Sequence, residues 1–282
     1  MGNEHILLVD SSNLLFQMFY GMPARITGKQ GRPIQGTLGF VGALLKIVRK
    51  LQPTHLAVLF DGETFNPRGE LDENYKANRE DYSQMPEEET PFSQLPDIYA
   101  ALDYLGICHR ETTECETDDW MASYALGLGR EFKMTLMSQD SDFFQLITDK
   151  VSVLRYRGDC SALCDPQYIR QKFDIEPSQY ADFKCLVGDG SDNIRGADKV
   201  GPKTAAALMR QFGSLQNLLD HIEDISKPSV RESIRTNAER LRLNQKLIRL
   251  EQKYPAPFSL EEMAYTYRGQ TSTEVLTEIG VK

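Results

Sequence analysis

The chain has 282 residues, 40% of them apolar, which is enough to bury the core of one large or two small domains. No apolar run is long enough to span a membrane, and the start Met1-Gly2-Asn3-Glu4-His5-Ile6 lacks the regions of a signal peptide, so a cytoplasmic protein with no membrane partner is expected. The net charge of −9 argues at first against a polyanionic partner, but acids committed to metal ions would leave the remaining surface close to neutral, so local placement decides.

In chain order, hydrophobic periodicity predicts a strand at 5–10, a helix at 38–51, a strand at 55–61, helices at 95–105 and 118–132, and strands at 133–138 and 151–156. Strands separated by helical crossovers predict an α/β fold, a mostly parallel central sheet flanked by helices. Between Glu63 and Pro96 the pattern gives way to a polar stretch holding Pro67, Pro86, Pro91 and Pro96, too long for a connector and read as a lid or binding element. From Pro177 the chain reads as helical, with a glycine-punctuated turn at 188–201 and an amphipathic stretch at 230–250. The scattered cysteines Cys108, Cys115, Cys160, Cys164 and Cys185 suit a reducing compartment, and no second Cys or His pair supports a zinc site at Cys160 and Cys164.

Three of the strands run into an aspartate: Asp10, Asp61 and Asp140. Ligands of an open parallel sheet sit beyond the carboxyl ends of its strands, so these acids converge. Three clusters add to them: Glu116-Thr117-Asp118-Asp119 at a helix start, Asp140-Ser141-Asp142 at a strand end and Asp189-Gly190-Ser191-Asp192 at a turn. Glu116/Asp119 and Asp189/Asp192 share a helix face if helical, and Asp140/Asp142 share a strand face if extended. Any one cluster alone would read as helix capping. Their coincidence points instead to hard divalent cations, Mg²⁺ or Mn²⁺, and two such ions suit displacement at phosphorus.

Inside the proline-bearing stretch, Tyr75-Lys76-Ala77-Asn78-Arg79 would set Lys76 and Arg79 on one helix face as a phosphate clamp, with Tyr75 stacking on a base. Downstream, Ile194-Arg195-Gly196-Ala197-Asp198-Lys199-Val200-Gly201-Pro202-Lys203-Thr204-Ala205 is not a P-loop, because Pro202 breaks the Gly-Lys-Thr order and no strand precedes it. It reads as a helix-hairpin-helix, whose backbone N–H groups and helix N-terminus can hold a DNA phosphate, with Gly196, Gly201, Lys203 and Thr204 as the contact residues.

These residues, in this order and spacing, resemble the 5′-nuclease (flap endonuclease) superfamily, most closely the bacterial 5′–3′ exonuclease domain of DNA polymerase I, here as a stand-alone protein. The pieces are Val9-Asp10-Ser11-Ser12, Phe60-Asp61, Tyr75-Lys76-x-x-Arg79, Glu116-x-Asp118-Asp119, Asp140-x-Asp142, Gly188-Asp189-x-Ser191-Asp192-Asn193-Ile194 and Gly201-x-Lys203-Thr204-Ala205. The resemblance implies a nuclease core of the PIN-like type at 1–176, with a helical arch at about 64–96, and a helix-hairpin-helix DNA-binding region at 177–282. It implies that Asp10, Asp61, Glu116 and Asp118 ligate a first metal ion, and that Asp119, Asp140, Asp142, Asp189 and Asp192 serve a second. Lys76 and Arg79 would approach the scissile phosphate, and carbonyls of the hairpin would hold K⁺. The expected activity is structure-specific 5′–3′ exonuclease or flap endonuclease hydrolysis of DNA with 5′ flaps, nicks or ends, giving 5′-phosphate and 3′-hydroxyl products in replication or repair. A monomer working with a DNA polymerase or ligase is expected, and the competing reading is a DNA-junction binder that does not cleave. Departures from the family pattern are Asp198 and Lys199 between the hairpin glycines, Ser141 where a lysine is usual, and the acidic run Glu87-Glu88-Glu89 in the arch.

Overall fold

In a computed structural model of the chain, residues 4–22, 25–62, 68–79, 82 and 85–282 are described. The centre is a six-stranded sheet of β1 (His5–Asp10), β2 (His55–Phe60), β3 (Cys108–Glu111), β4 (Lys133–Met137), β5 (Val151–Arg155) and β6 (Ala162–Cys164), in the order β3-β2-β1-β4-β5-β6. The first five are parallel and β6 is antiparallel to β5. β1 is buried along its whole length, as expected of a central strand covered on both faces.

Strand alternation divides the core in two. Ile6, Leu8, Ala57, Leu59, Met134 and Leu136 face one apolar cluster; Leu7, Val9, Leu56, Val58 and Met137 face the other. The second cluster is closed by α1 (Ser11–Gly21), α2 (Gln35–Leu51) and α3 (Leu95–Leu105); the first by α4 (Thr117–Leu126), α6 (Tyr180–Val187), α7 (Pro202–Phe212) and α9 (Pro228–Ile248). Between them in the chain come α5 (Pro166–Phe173) and α8 (Leu215–Asp220). The chain then returns to the sheet: Leu56 N–H donates to Met263 O at 2.8 Å, Tyr265 N–H donates to Thr54 O at 2.9 Å, and α10 (Ser272–Glu278) packs on α2 and α3.

The strand order reverses between β1 and β4, which places the ligand crevice of a doubly wound sheet beyond their carboxyl ends. Asp10 ends β1, while Asp61 and Asp140 follow β2 and β4 within three residues. Helix α1 springs directly from β1, with the Asp10 carboxylate accepting from Asn13 N–H at 3.1 Å as its N-cap. Of the expected elements, the 118–132 helix is shorter, ending at Leu126 with a 3₁₀ turn at Leu128–Arg130. Among the described residues of 64–94, the arch segment forms turns and 3₁₀ helices at Glu87–Glu89 and Pro91–Gln94 and no α-helix; 63–67, 80, 81, 83 and 84 lie outside the described residues.

Candidate metal centre and nucleic-acid interface

Asp10 is buried, and its Oδ2 accepts from Ser138 Oγ at 2.6 Å. Burial, with the charge of Asp61 added, pushes its carboxyl up to about 7. Asp61 caps the start of α4 by accepting from Thr117 N–H at 2.8 Å. The glycine after it is required: a Cβ on Gly62 would lie 1.9 Å from Thr112 O. Glu116 and Asp119 form a reciprocal capping box at the N-terminus of α4, so their shared face is used by the helix itself. Asp118, on the first turn, is raised well above the ordinary carboxylate range by burial and then by Asp140.

The Asp140 and Asp142 pair is not on a strand, because β4 ends at Met137; Asp140 Oδ1 accepts from Asp142 N–H at 2.8 Å, which turns the chain into a 3₁₀ helix at Asp142–Leu146. Nor are Asp189 and Asp192 on a helix. They stand at the turn of a small antiparallel ribbon, β7 (Gly188–Asp189) and β8 (Ile194–Arg195), whose tight reversal brings both acids to Asp142. One carboxylate oxygen from each of Asp142, Asp189 and Asp192 lies within 4.8 Å of the others. Burial and then Asp140 push Asp142 up to about 7, and burial also raises Asp192. Buried and half-buried acids held this close together and presented through oxygen alone form a donor set that fits hard divalent cations.

Cations from the protein already reach into this set. Lys184 of α6 donates to both Asp142 and Asp189. Burial alone would raise Asp189, yet Lys184 holds it below the ordinary range. Arg68 is 7% exposed and donates to Glu116, to both Asp119 oxygens at 2.7 and 3.2 Å, and through Nε to Leu247 O at 2.9 Å. Lys76 Nζ lies 2.5 Å from Glu116 Oε1 and Arg79 lies 3.1 Å from Asp192 Oδ1.

Lys76 and Arg79, expected as a clamp, therefore face the acids, but not from a helix. Residues 73–78 are turns, and Lys76 is left-handed at φ 57°, where helical spacing does not apply. Four polar contacts tie this segment to the β7–β8 turn: Lys76 N–H to Asp192 O, Asn78 Nδ2 to Gly190 O, Asn193 Nδ2 to Asn74 O, and the Arg79 ion pair. Tyr75 is not open to a base: it is 6% exposed in the core, its hydroxyl 3.4 Å from Glu116 and its ring under the Lys76 ammonium at 4.7 Å. Lys184 and Arg68 were not among the sequence candidates. Lys184 carried a signal, a lone lysine in the fully buried run Ala181–Leu186; Arg68 carried none.

The glycine hairpin joins α6, through the ribbon, to α7. Gly196 must be glycine, since a Cβ there would meet Leu186 O at 2.3 Å. Gly201 is the N-cap of α7 and brings no side-chain cap, with Pro202, Lys203 and Thr204 opening the helix. The backbone N–H groups of its first turn thus lie beside an exposed Lys203. Asp198, the unexpected acid, is paired with Arg195 at 2.7 Å.

A family model for the 5′–3′ exonuclease N-terminal resolvase-like domain matches residues 5–174, and one for the 5′–3′ exonuclease C-terminal SAM fold matches 175–271. The chain belongs to the 5′–3′ exonuclease family. It is 34% identical over 258 residues to the thermostable DNA polymerase I of Thermus thermophilus, covering 91% of this chain and 30% of that protein. It is 33% identical over 270 residues to DNA polymerase I of Rhizobium leguminosarum, covering 92% and 26%. The chain thus spans under a third of the length of these relatives. Among solved structures, the T5 D15 protein co-crystallized with metal ions superposes at TM-score 0.71 and 25% identity, covering 87% of this chain and 89% of that one. The catalytic core of Rad2 in complex with DNA substrate shares the fold at TM-score 0.60 and 14% identity, covering 98% and 93%.

Proposed function

We propose that this chain is a structure-specific 5′ nuclease that hydrolyses DNA phosphodiester bonds at flaps, nicks or 5′ ends, leaving 5′-phosphate and 3′-hydroxyl. The observation that carries this reading is the gathering of acids at the switch point of the sheet: Asp10 ends β1, Asp61 and Asp140 follow β2 and β4, α4 opens on Glu116 to Asp119, and Asp142 groups with Asp189 and Asp192. In this reading Asp10, Asp61, Glu116 and Asp118 hold one divalent ion, Mg²⁺ or Mn²⁺. Asp140, Asp142, Asp189 and Asp192 serve a second, with Asp119 acting through its bonds to Arg68 and Glu116. Such ions supply Lewis-acid polarisation of water and phosphate at neutral pH.

The chain's own residues do the rest. Lys76 and Arg79 have the length and position to leave their carboxylates for a phosphate carrying developing charge, and a cation so placed stabilises that charge. The opening turn of α7, with Gly201, Lys203 and Thr204, holds a duplex phosphate without reading sequence. The division of labour follows residues 1–176 as the cutting part and 177–282 as the DNA-holding part, with α10 returning to brace the former. A cytoplasmic monomer working beside a polymerase or ligase completes the proposal.

The test is cleavage of a 5′-labelled DNA flap with Mg²⁺, with Mn²⁺ and with chelator, beside Asp140→Ala and Asp189→Ala. Metal-dependent cuts near the flap junction that vanish in both variants, while DNA binding stays measurable, are expected. Full turnover in both variants would defeat the site assignment; binding without cuts under every metal would establish the non-cleaving junction binder instead.

A further inference from the structure

β4 ends at Met137 and β5 at Arg155, so the sheet's own ladder stops short of Asp140. One backbone rung remains beyond β4, from Ser138 N–H to Leu154 O at 3.2 Å. Past it, side chains hold the segment. Gln139 N–H donates to Asn13 Oδ1 at 3.2 Å, Gln139 Nε2 donates to Tyr156 O at 2.5 Å, and Arg155 Nη2 donates to Gln139 O at 3.0 Å.

The peptide between Gln139 and Asp140 is therefore bonded on both sides. Its carbonyl takes the Arg155 guanidinium, and its N–H donates to Ser138 Oγ at 2.9 Å. That hydroxyl is fully buried and places its own hydrogen on Asp10 Oδ2 at 2.6 Å. Guanidinium, peptide, hydroxyl and carboxylate thus form one chain, donor to acceptor throughout. A cation at its head and an acid at its foot polarise every bond between them in the same direction, so each strengthens the next. The chain ends on Asp10 and runs through the backbone of Asp140, the two acids proposed above to serve different ions.

Arg155 is otherwise hard to account for. Among the described residues it has no ion pair, and its Nε is buried without a hydrogen-bond partner. A half-buried charge with an unbonded donor is a cost. Its guanidinium lies 5.8 Å from the Phe144 ring centre, near the outer limit of cation–π attraction, which offsets little of that cost.

We propose that Arg155 is a positioning residue of the metal centre: its guanidinium fixes and polarises the Gln139–Asp140 peptide and, through Ser138, sets Asp10, so that both divalent-ion positions depend on one side chain bonded to neither acid. This rests on the metal-dependent nuclease reading above, and the experiment keeps the two apart.

The measurement is calorimetric titration of Mn²⁺ into the DNA-free protein, for wild type, R155M and R155K, with flap cleavage and flap binding under chelator alongside. R155M keeps the stem beside Phe144 and removes the donors. It should weaken Mn²⁺ binding roughly tenfold, the usual effect of losing a group that orients a metal ligand, and raise the Mg²⁺ needed for half-maximal cleavage by about the same factor. Flap affinity under chelator should stay unchanged, and R155K, which restores a cationic donor, should recover most of the metal affinity. S138A breaks the same chain lower down, so R155M and S138A together should cost less than the sum of the two alone. Wild-type Mn²⁺ affinity in R155M overturns the inference, as does full additivity with S138A. Should R155M not fold, judged by its circular dichroism, R155Q takes its place, and wild-type Mn²⁺ affinity there overturns the inference equally. A wild type that binds Mn²⁺ and cuts no flap refutes the nuclease reading alone and leaves the Mn²⁺ comparison to decide this one; a wild type that binds no Mn²⁺ overturns both.

Discussion

Lys199 stands exposed at the hairpin tip with φ 62°, a left-handed conformation that an L side chain adopts at a cost. Replacing it by glycine relieves roughly 1–2 kcal/mol of backbone strain. Glycine's greater freedom in the unfolded chain takes back about 0.4–1 kcal/mol, so Lys199→Gly should stabilise the protein by about 0.5–1 kcal/mol. The same change removes a cation from the loop proposed to meet phosphate, and binding through one phosphate fewer lowers the salt dependence by about 0.9 in log–log slope. Stability and DNA affinity should therefore move in opposite directions, the pattern expected when strain is kept for function. Urea midpoints and duplex titrations at several salt concentrations measure both. A variant less stable than wild type would refute the strain argument, and an unchanged salt slope would remove Lys199 from the interface.

Arg68→Met should cost about 3–5 kcal/mol in urea unfolding, because it leaves the buried Glu116 and Asp119 carboxylates without their shared guanidinium; a loss under 1 kcal/mol would show the bridge to be incidental. Under chelator, stability should fall by about 1.5 kcal/mol between pH 6.5 and 8. The sign follows from Asp10 and Asp142, whose carboxyls sit near 7 when folded and near 4 when unfolded, so the folded state binds protons there that the unfolded state has lost. His5, lowered by burial and then by Lys133, works in the opposite direction at lower pH and contributes little in this window. Saturating Mg²⁺ should abolish the fall; a chelated protein that gains stability on the same titration would contradict the placement of both acids.

The convergence of Asp10, Asp61 and Asp140 was legible because a parallel sheet leaves no other place for the ends of its strands. What hid was whatever depended on partners distant in sequence. Helix α1 begins at Ser11-Ser12-Asn13 with no connector after β1, so turn-forming residues mask a helix that takes its cap from the strand's own last residue. β3 is four residues with polar side chains at the sheet edge, and β6 is three, too short for any alternation to register. The nearness of Lys76 and Arg79 to the acids came from a backbone other than the one expected: turns pinned to the β7–β8 ribbon bring both there where a helix was expected. Arg68 meets Leu247 O across 179 positions of chain, and nothing local to it marks the contact.

The acids and the protein's cations together explain how such a site can fold before metal arrives. Asp142 and Asp189 share Lys184, Glu116 and Asp119 share Arg68, and Glu116 and Asp192 also take Lys76 and Arg79, so each proposed metal position is partly neutralised from within. The compensation is incomplete, because Asp10, Asp118 and Asp142 are still pushed up, and incomplete neutralisation is what leaves affinity for an added ion. The two kinds of cation differ in what holds them. Arg68 is fixed by Leu247 O and by both oxygens of Asp119, while Arg79 has one carboxylate contact and a half-exposed side chain. On that difference, a metal ion taking Asp192 would displace Arg79 rather than Arg68. The residue set free would be one of the two proposed to meet a phosphate.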